Sequence, residues 1–65
     1  MTKIYLLMNG NSQIGDLYFD RDDAIENGKQ IARDTAMPVL IWEAEDIDGV
    51  PIDELDWTLS TIKFA

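Results

Sequence analysis

The chain has 65 residues, of which 13 are acidic and 5 basic, and it contains neither cysteine nor histidine, so its formal net charge at pH 7 is −8. This length predicts a single domain, residues 1–65, and the missing residue types exclude disulfides, cysteine nucleophiles, histidine bases and the usual zinc and copper ligands. The acidic balance disfavours binding to nucleic acid or to anionic membranes, and it favours a basic protein partner.

The N-terminal segment predicts a strand. Residues 3–8 are mostly apolar on both alternating faces, and the turn sequence of residues 9–12 follows them. The segment lacks the cleavage site of a signal peptide, and no apolar run approaches the roughly 20 residues of a membrane span. We therefore expect a cytoplasmic protein. Residues 13–19 allow two interpretations, a second strand or an irregular approach to a helix, because Gly15 disfavours a strand.

Residues 21–35 carry the strongest local pattern, that of a helix. Asp20 is a good N-cap residue, acids follow it in the first turn, and Met37-Pro38 marks the exit from the helix. The centre of the apolar stripe consists of small residues, namely Ala24, Gly28 and Ala32. Such a stripe predicts a close approach of the helix to a sheet.

Two further strands complete the predicted fold. Residues 38–47 begin with the apolar run Val39–Trp42, and residues 55–64 predict the last strand, after the turn dipeptide Asp48-Gly49. The resulting order is β-(β)-α-β-β. It predicts an α+β fold with a small, mainly antiparallel sheet of three or four strands and one helix on one face.

One helix covers only one face of such a sheet, although the strands are apolar on both faces. The uncovered face should therefore present an apolar patch that includes a tryptophan, and patches of this kind usually mark interfaces. A homodimer and docking on another protein are the two functional interpretations. The alternative is a patch too small to have a role.

Residues 43–56, here called the acidic segment, contain seven acids and no base, and so carry −7 of the net charge of −8. Crowding like charges on neighbouring strands costs stability. Either the segment engages a cationic protein surface, or its acids are solvated and serve solubility. The candidate partner-binding residues are Glu43, Glu45, Asp46, Asp48, Asp53, Glu54 and Asp56, together with Trp42 and Trp57.

Catalytic and cofactor chemistry is not predicted. In an EF-hand alignment of the acidic segment, Ala44 and Leu55 take the first and twelfth positions, where acidic ligands are required, so no such metal site is expected. Weak divalent-cation binding by clustered acids remains an alternative. Ser12 and Ser60 have no evident activating partner, and the chain is not expected to be an enzyme.

Outside the acidic segment, Lys29 and Arg33 predict ion pairs with Glu26 along the helix rather than a nucleic-acid patch.

In size, charge and element order the whole chain resembles small acidic, cysteine-free proteins of phages and mobile elements. Some of those are anti-restriction or anti-CRISPR inhibitors that mimic the charge of DNA. The resemblance implies an anti-defence inhibitor in the host cytoplasm, a non-enzymatic module whose acidic segment engages a basic, nucleic-acid-binding protein surface. It assigns no role to any individual residue.

Overall fold

Four strands and one α-helix make up residues 2–64, which are the residues that the computed structural model describes. In chain order the elements are β1 (Thr2–Asn9), β2 (Ser12–Gln13), α1 (Arg21–Thr35), β3 (Val39–Asp46), a short 3-10 helix (Ile52–Glu54) and β4 (Thr58–Lys63). The strands form one antiparallel sheet in the order β2-β1-β3-β4, and α1 packs on one of its faces. The predicted α+β fold is confirmed.

The helix has the predicted bounds because local chemistry sets both ends. A carboxylate oxygen of Asp20 accepts a hydrogen bond from the backbone N–H of Asp22 at 2.9 Å. At the other end Ala36 adopts a left-handed conformation with φ of 57°, and Pro38 follows two residues later. No helix within residues 2–64 is both long enough and apolar enough to cross a membrane.

The contact between helix and sheet is close because its centre is glycine. A Cβ added at Gly28 would lie 3.1 Å from Cδ1 of Ile41 and 3.6 Å from Cγ1 of Val39. Ala24 and Ala32 are buried on either side, as predicted. The buried residues of this layer are Tyr5, Leu7, Ala24, Gly28, Ala32, Val39 and Ile41. We call this side of the sheet the helix face.

The opposite side, here called the outer face, is also apolar. Ile4, Ala44 and Leu55 form a second buried cluster there, and Trp57 packs against it. The chain between β3 and β4 therefore covers one end of the outer face. Beyond that end, two rows of cross-strand neighbours remain half-buried or exposed: Leu6, Trp42 and Leu59 in one row, and Met8, Leu40 and Ile62 in the other.

The last strand differs from the prediction in its start and in its alternation. It begins at Thr58 rather than Leu55, because Leu55 is buried after the 3-10 helix. A bulge interrupts its pairing with β3, since Ile41 faces Thr61 whereas the next residue, Trp42, faces Leu59. The extra residue places Leu59 and Ile62 on the same face, whereas strict alternation over these positions would place them on opposite faces.

Residues 13–19 combine the two predicted alternatives. Only Ser12–Gln13 forms a strand, and Gly15 then takes a positive φ of 66° that breaks the pairing. The chain returns to β1 at Tyr18, whose backbone exchanges hydrogen bonds of 2.8 and 3.0 Å with Tyr5. This bridge positions the chain for the start of α1.

Candidate protein-binding surface

The acidic segment lies at one end of the sheet. It includes the last residues of β3 and most of the connection to β4 (residues 47–57), and antiparallel pairing brings the end of β3 beside the start of β4. Six of its seven acids are exposed: Glu45, Asp46, Asp48, Asp53, Glu54 and Asp56. The fold therefore places the backbone of these six acids at one end of the sheet.

The connection that carries four of these acids is folded back on itself by hydrogen bonds. Trp57 donates from Nε1 to the carbonyl of Ile52 at 2.8 Å, and Val50 donates from its backbone N–H to the carbonyl of Ile47 at 3.1 Å. Leu55, a residue of the connection, is buried against Ile4 and Ala44. These contacts hold the backbone of the connection in place, so less of the chain has to be ordered when a partner binds.

Glu43 differs from the other acids of the segment because it is part of the fold. Lys3 on β1 donates from Nζ to a carboxylate oxygen of Glu43 at 3.0 Å, and the Glu43 side chain is 23% exposed. The hydrogen bond from Lys3, with a second from Ser60, lowers the pKa of Glu43 below its usual range. The same pair raises the pKa of Lys3.

Titration tests this ion pair. Because its pKa is lower in the folded state, Glu43 stabilises the fold above about pH 4.3, where an unfolded glutamate is ionised, and this contribution is lost as the pH falls through the folded-state pKa. Lys3, whose pKa is raised, contributes until the pH rises through its folded-state value. We expect Lys3→Met to shift the carboxyl titration of Glu43, followed by ¹³C NMR, to higher pH.

The matched control is Lys29→Met, which removes the same charge from the helix. An unchanged Glu43 titration in Lys3→Met would contradict the pair, whereas an unchanged titration in Lys29→Met is expected.

A shallow depression of about 270 Å³ lies beside this ion pair. Glu43, Glu45 and Asp56 contribute carboxylates to its lining, and Lys3 contributes the one cation. Its other lining residues are Ala44, Ile47 and Thr58. With three carboxylates and one ammonium group, the depression is suited to an incoming lysine or arginine side chain.

Four of the six acids outside the acidic segment have identifiable roles in the fold. Asp20 caps α1, Asp22 and Asp23 lie in its first turn near the positive end of the helix dipole, and Asp34 accepts a hydrogen bond from Gln30 at 3.0 Å. In contrast, Lys3–Glu43 is the one ion pair within residues 2–64, so the exposed acids of the segment have no cationic partner in that range. In the same range, no group of three or more acids has an arrangement that could hold a metal ion.

A second depression, here called the basic groove, was not predicted. Lys29 and Arg33 of α1 line it together with Lys63 of β4, and Glu26 and Phe64 complete it, with a volume of about 480 Å³. The predicted ion pairs with Glu26 are wrong, because no nitrogen of either base lies within 4.0 Å of its carboxylate. Only the packing of α1 over β4 brings Lys63 to the helix bases, and short-range sequence patterns do not contain that contact.

The two tryptophans of the predicted site have different environments. Trp57 is half-buried in the second core cluster and uses its indole N–H within the connection. Trp42 is half-buried on the outer face between Leu6 and Leu59. Of the two, Trp42 is the one that lies on the uncovered apolar surface.

No family model matches the sequence, and neither a curated protein nor a solved structure is found to be similar to it.

Proposed function

We propose that the chain is a non-enzymatic protein-binding module whose acidic segment engages a basic surface of a protein partner. One observation carries the proposal: the exposed carboxylates of the segment lack a cationic partner within residues 2–64, yet a hydrogen-bonded and partly buried backbone holds them at one end of the sheet. Glu43 and the acids of the helix have structural contacts instead, so these exposed carboxylates are free to interact with another molecule.

Electrostatics gives such a surface two properties. Carboxylates grouped at one end produce a local negative potential that steers a basic partner and accelerates association at low salt. They also accept strong, charge-assisted hydrogen bonds from arginine and lysine, as phosphate groups do. The partner surface that fits best is therefore one that otherwise binds nucleic acid, and occupying it would make the chain an inhibitor that mimics the charge of DNA.

Capture from a cell lysate with duplex DNA as competitor tests the proposal. The connection variant replaces Asp46, Asp48 and Asp53 with asparagine and Glu54 with glutamine. A matched control makes the same amide replacements at Asp16, Asp23, Glu26 and Asp34, so both variants have four fewer negative charges than the native chain. We expect the native chain and the control to capture the same nucleic-acid-binding proteins at low salt, and the connection variant to lose them.

Two further results are expected if the acidic segment occupies a nucleic-acid site. Capture should weaken as the salt concentration rises, and added duplex DNA should displace the chain from its partner. If the connection variant captured the same proteins as the native chain, the acidic segment would not be the binding surface. If capture persisted but DNA failed to compete, the inhibitor form of the proposal would be wrong while a binding module would remain.

A further inference from the structure

β4 forms one edge of the sheet and, within residues 2–64, pairs only with β3. The other side of an edge strand presents backbone N–H and C=O groups that can pair with another strand. Residues 58–62 contain no charged residue and no proline, two of the features that block such pairing, and a third feature, the bulge, is confined to Ser60 in the middle of the strand. Leu59 is 44% exposed and Ile62 36% exposed on the outer face. The edge is therefore open to a further strand.

Charges of opposite sign lie at the two ends of β4. Thr58, its first residue, lines the depression that contains the carboxylates of Glu45 and Asp56. Lys63, its last residue, lines the basic groove together with Lys29 and Arg33. If two copies of this strand pair in antiparallel orientation, the basic end of each copy meets the acidic end of the other.

From this charge complementarity we propose that β4 pairs with β4 of a second copy of the chain, antiparallel about a two-fold axis between Ser60 and Thr61. The resulting dimer has a continuous eight-stranded sheet. A two-fold interface uses the same patch on both copies, which requires the strand to be complementary to itself. β4 meets this requirement in its charges and in its register.

The register follows from the faces on which the side chains lie. Leu59 is on the outer face, and in this register it lies opposite the partner's Ile62, which is also on the outer face. Thr58 is on the helix face and lies opposite the partner's Lys63, which shares that face. The two residues of each directly opposed pair at the ends of the strand therefore lie on the same face of the sheet. In this register the ammonium group of Lys63 enters the partner's acidic depression.

The pairing also extends the apolar rows of the outer face across both copies. The row of Leu6, Trp42 and Leu59 continues into the partner's Ile62, which removes exposed apolar surface from water. The four acids changed in the connection variant are not used. The dimer does use Glu45 and Asp56 of the acidic segment, but each copy keeps the other four exposed carboxylates, so the connection variant tests the proposed function without altering the dimer contact.

The test measures molar mass by sedimentation equilibrium over a dilution series. We expect the native chain to approach twice 7.4 kDa as its concentration rises. Leu59→Lys should weaken dimerisation at least about tenfold, because it places a charge in the apolar row. Phe19→Lys, at an exposed residue near the other edge of the sheet, is the matched control and should dimerise as the native chain does.

A charge swap tests the orientation. Lys63→Glu and Asp56→Lys should each weaken the dimer about tenfold, and the double variant should restore it to within a few-fold of the native chain. Asp56→Lys is the most informative single change, because it reduces the net negative charge and general repulsion would then predict a tighter dimer. A native chain that stays monomeric, a dimer unaffected by Leu59→Lys, or a double variant without restoration would overturn the proposal. Circular dichroism of each variant confirms that the fold is kept.

Discussion

Replacing Gly28 with leucine should clearly lower the free energy of unfolding of the protein. A Cβ alone would already lie 3.1 Å from Ile41 Cδ1, and the further atoms of leucine would extend into the buried sheet. The helix must then move away, which exposes Ala24 and Ala32. Overpacking of this kind costs about 1–3 kcal/mol or more, whereas replacing glycine in a helix regains only about 1 kcal/mol. A single core of this size rarely supplies more than about 3–5 kcal/mol, so the change removes a substantial part of the stability.

Urea unfolding followed by circular dichroism measures the loss. Asn27→Leu is the matched control, since Asn27 is the exposed neighbour of Gly28 and leucine favours helix more than asparagine. We expect the control to remain within about 0.5 kcal/mol of the native chain, as exposed substitutions usually do. Native-like stability of Gly28→Leu would show that the helix does not rest on Ile41.

Ile41→Ala makes the opposite change on the other side of the same contact. Ile41 is fully buried in β3 beneath Gly28, and removing its outer carbons leaves a cavity that costs about 2–5 kcal/mol. Ile47→Ala removes the same atoms from a side chain that is 47% exposed, and it should cost much less. The free energy of unfolding in urea, measured for both variants, distinguishes these outcomes.

Combining the two changes tests whether the residues touch. In the double variant the added leucine at position 28 can enter the space left at position 41, so the combined loss should be smaller than the sum of the two single losses. Additive losses would indicate that Gly28 and Ile41 are independent, in contradiction to the contact seen in the structure.

Local chemistry explains why the helix could be predicted from the sequence to the residue. The cap at Asp20, the small stripe through Gly28 and the exit before Pro38 all act within a few residues. The apolar character of β1 and β3 on both faces likewise depends on alternation within single strands. The element order and the α+β class could therefore be predicted from the sequence.

The features of the fold that could not be predicted from the sequence depend on contacts between distant residues. The 3-10 helix and the burial of Leu55 arise because the connection packs on Ile4 and Ala44. The bulge in β4 reflects its register with β3, and a single strand viewed alone does not encode that register.

In the candidate surface, too, local sequence features were predicted and contacts between distant residues were not. The acidic segment is contiguous, so its charge was visible in the sequence, but the ion pair that binds Glu43 into the fold spans forty residues, from Lys3. The basic groove was missed for the same reason, because Lys63 reaches Lys29 and Arg33 only through the position of β4 under the helix.

The central claim is that the exposed carboxylates of the acidic segment serve binding and are not needed for folding. The free energy of unfolding of the connection variant, in which Asp46, Asp48, Asp53 and Glu54 are amides, tests it most directly. Relief of like-charge repulsion should make this variant at least as stable as the native chain at low salt, with the difference shrinking as salt is added. A clear loss of stability would contradict the claim, because it would show that these four carboxylates hold the fold together.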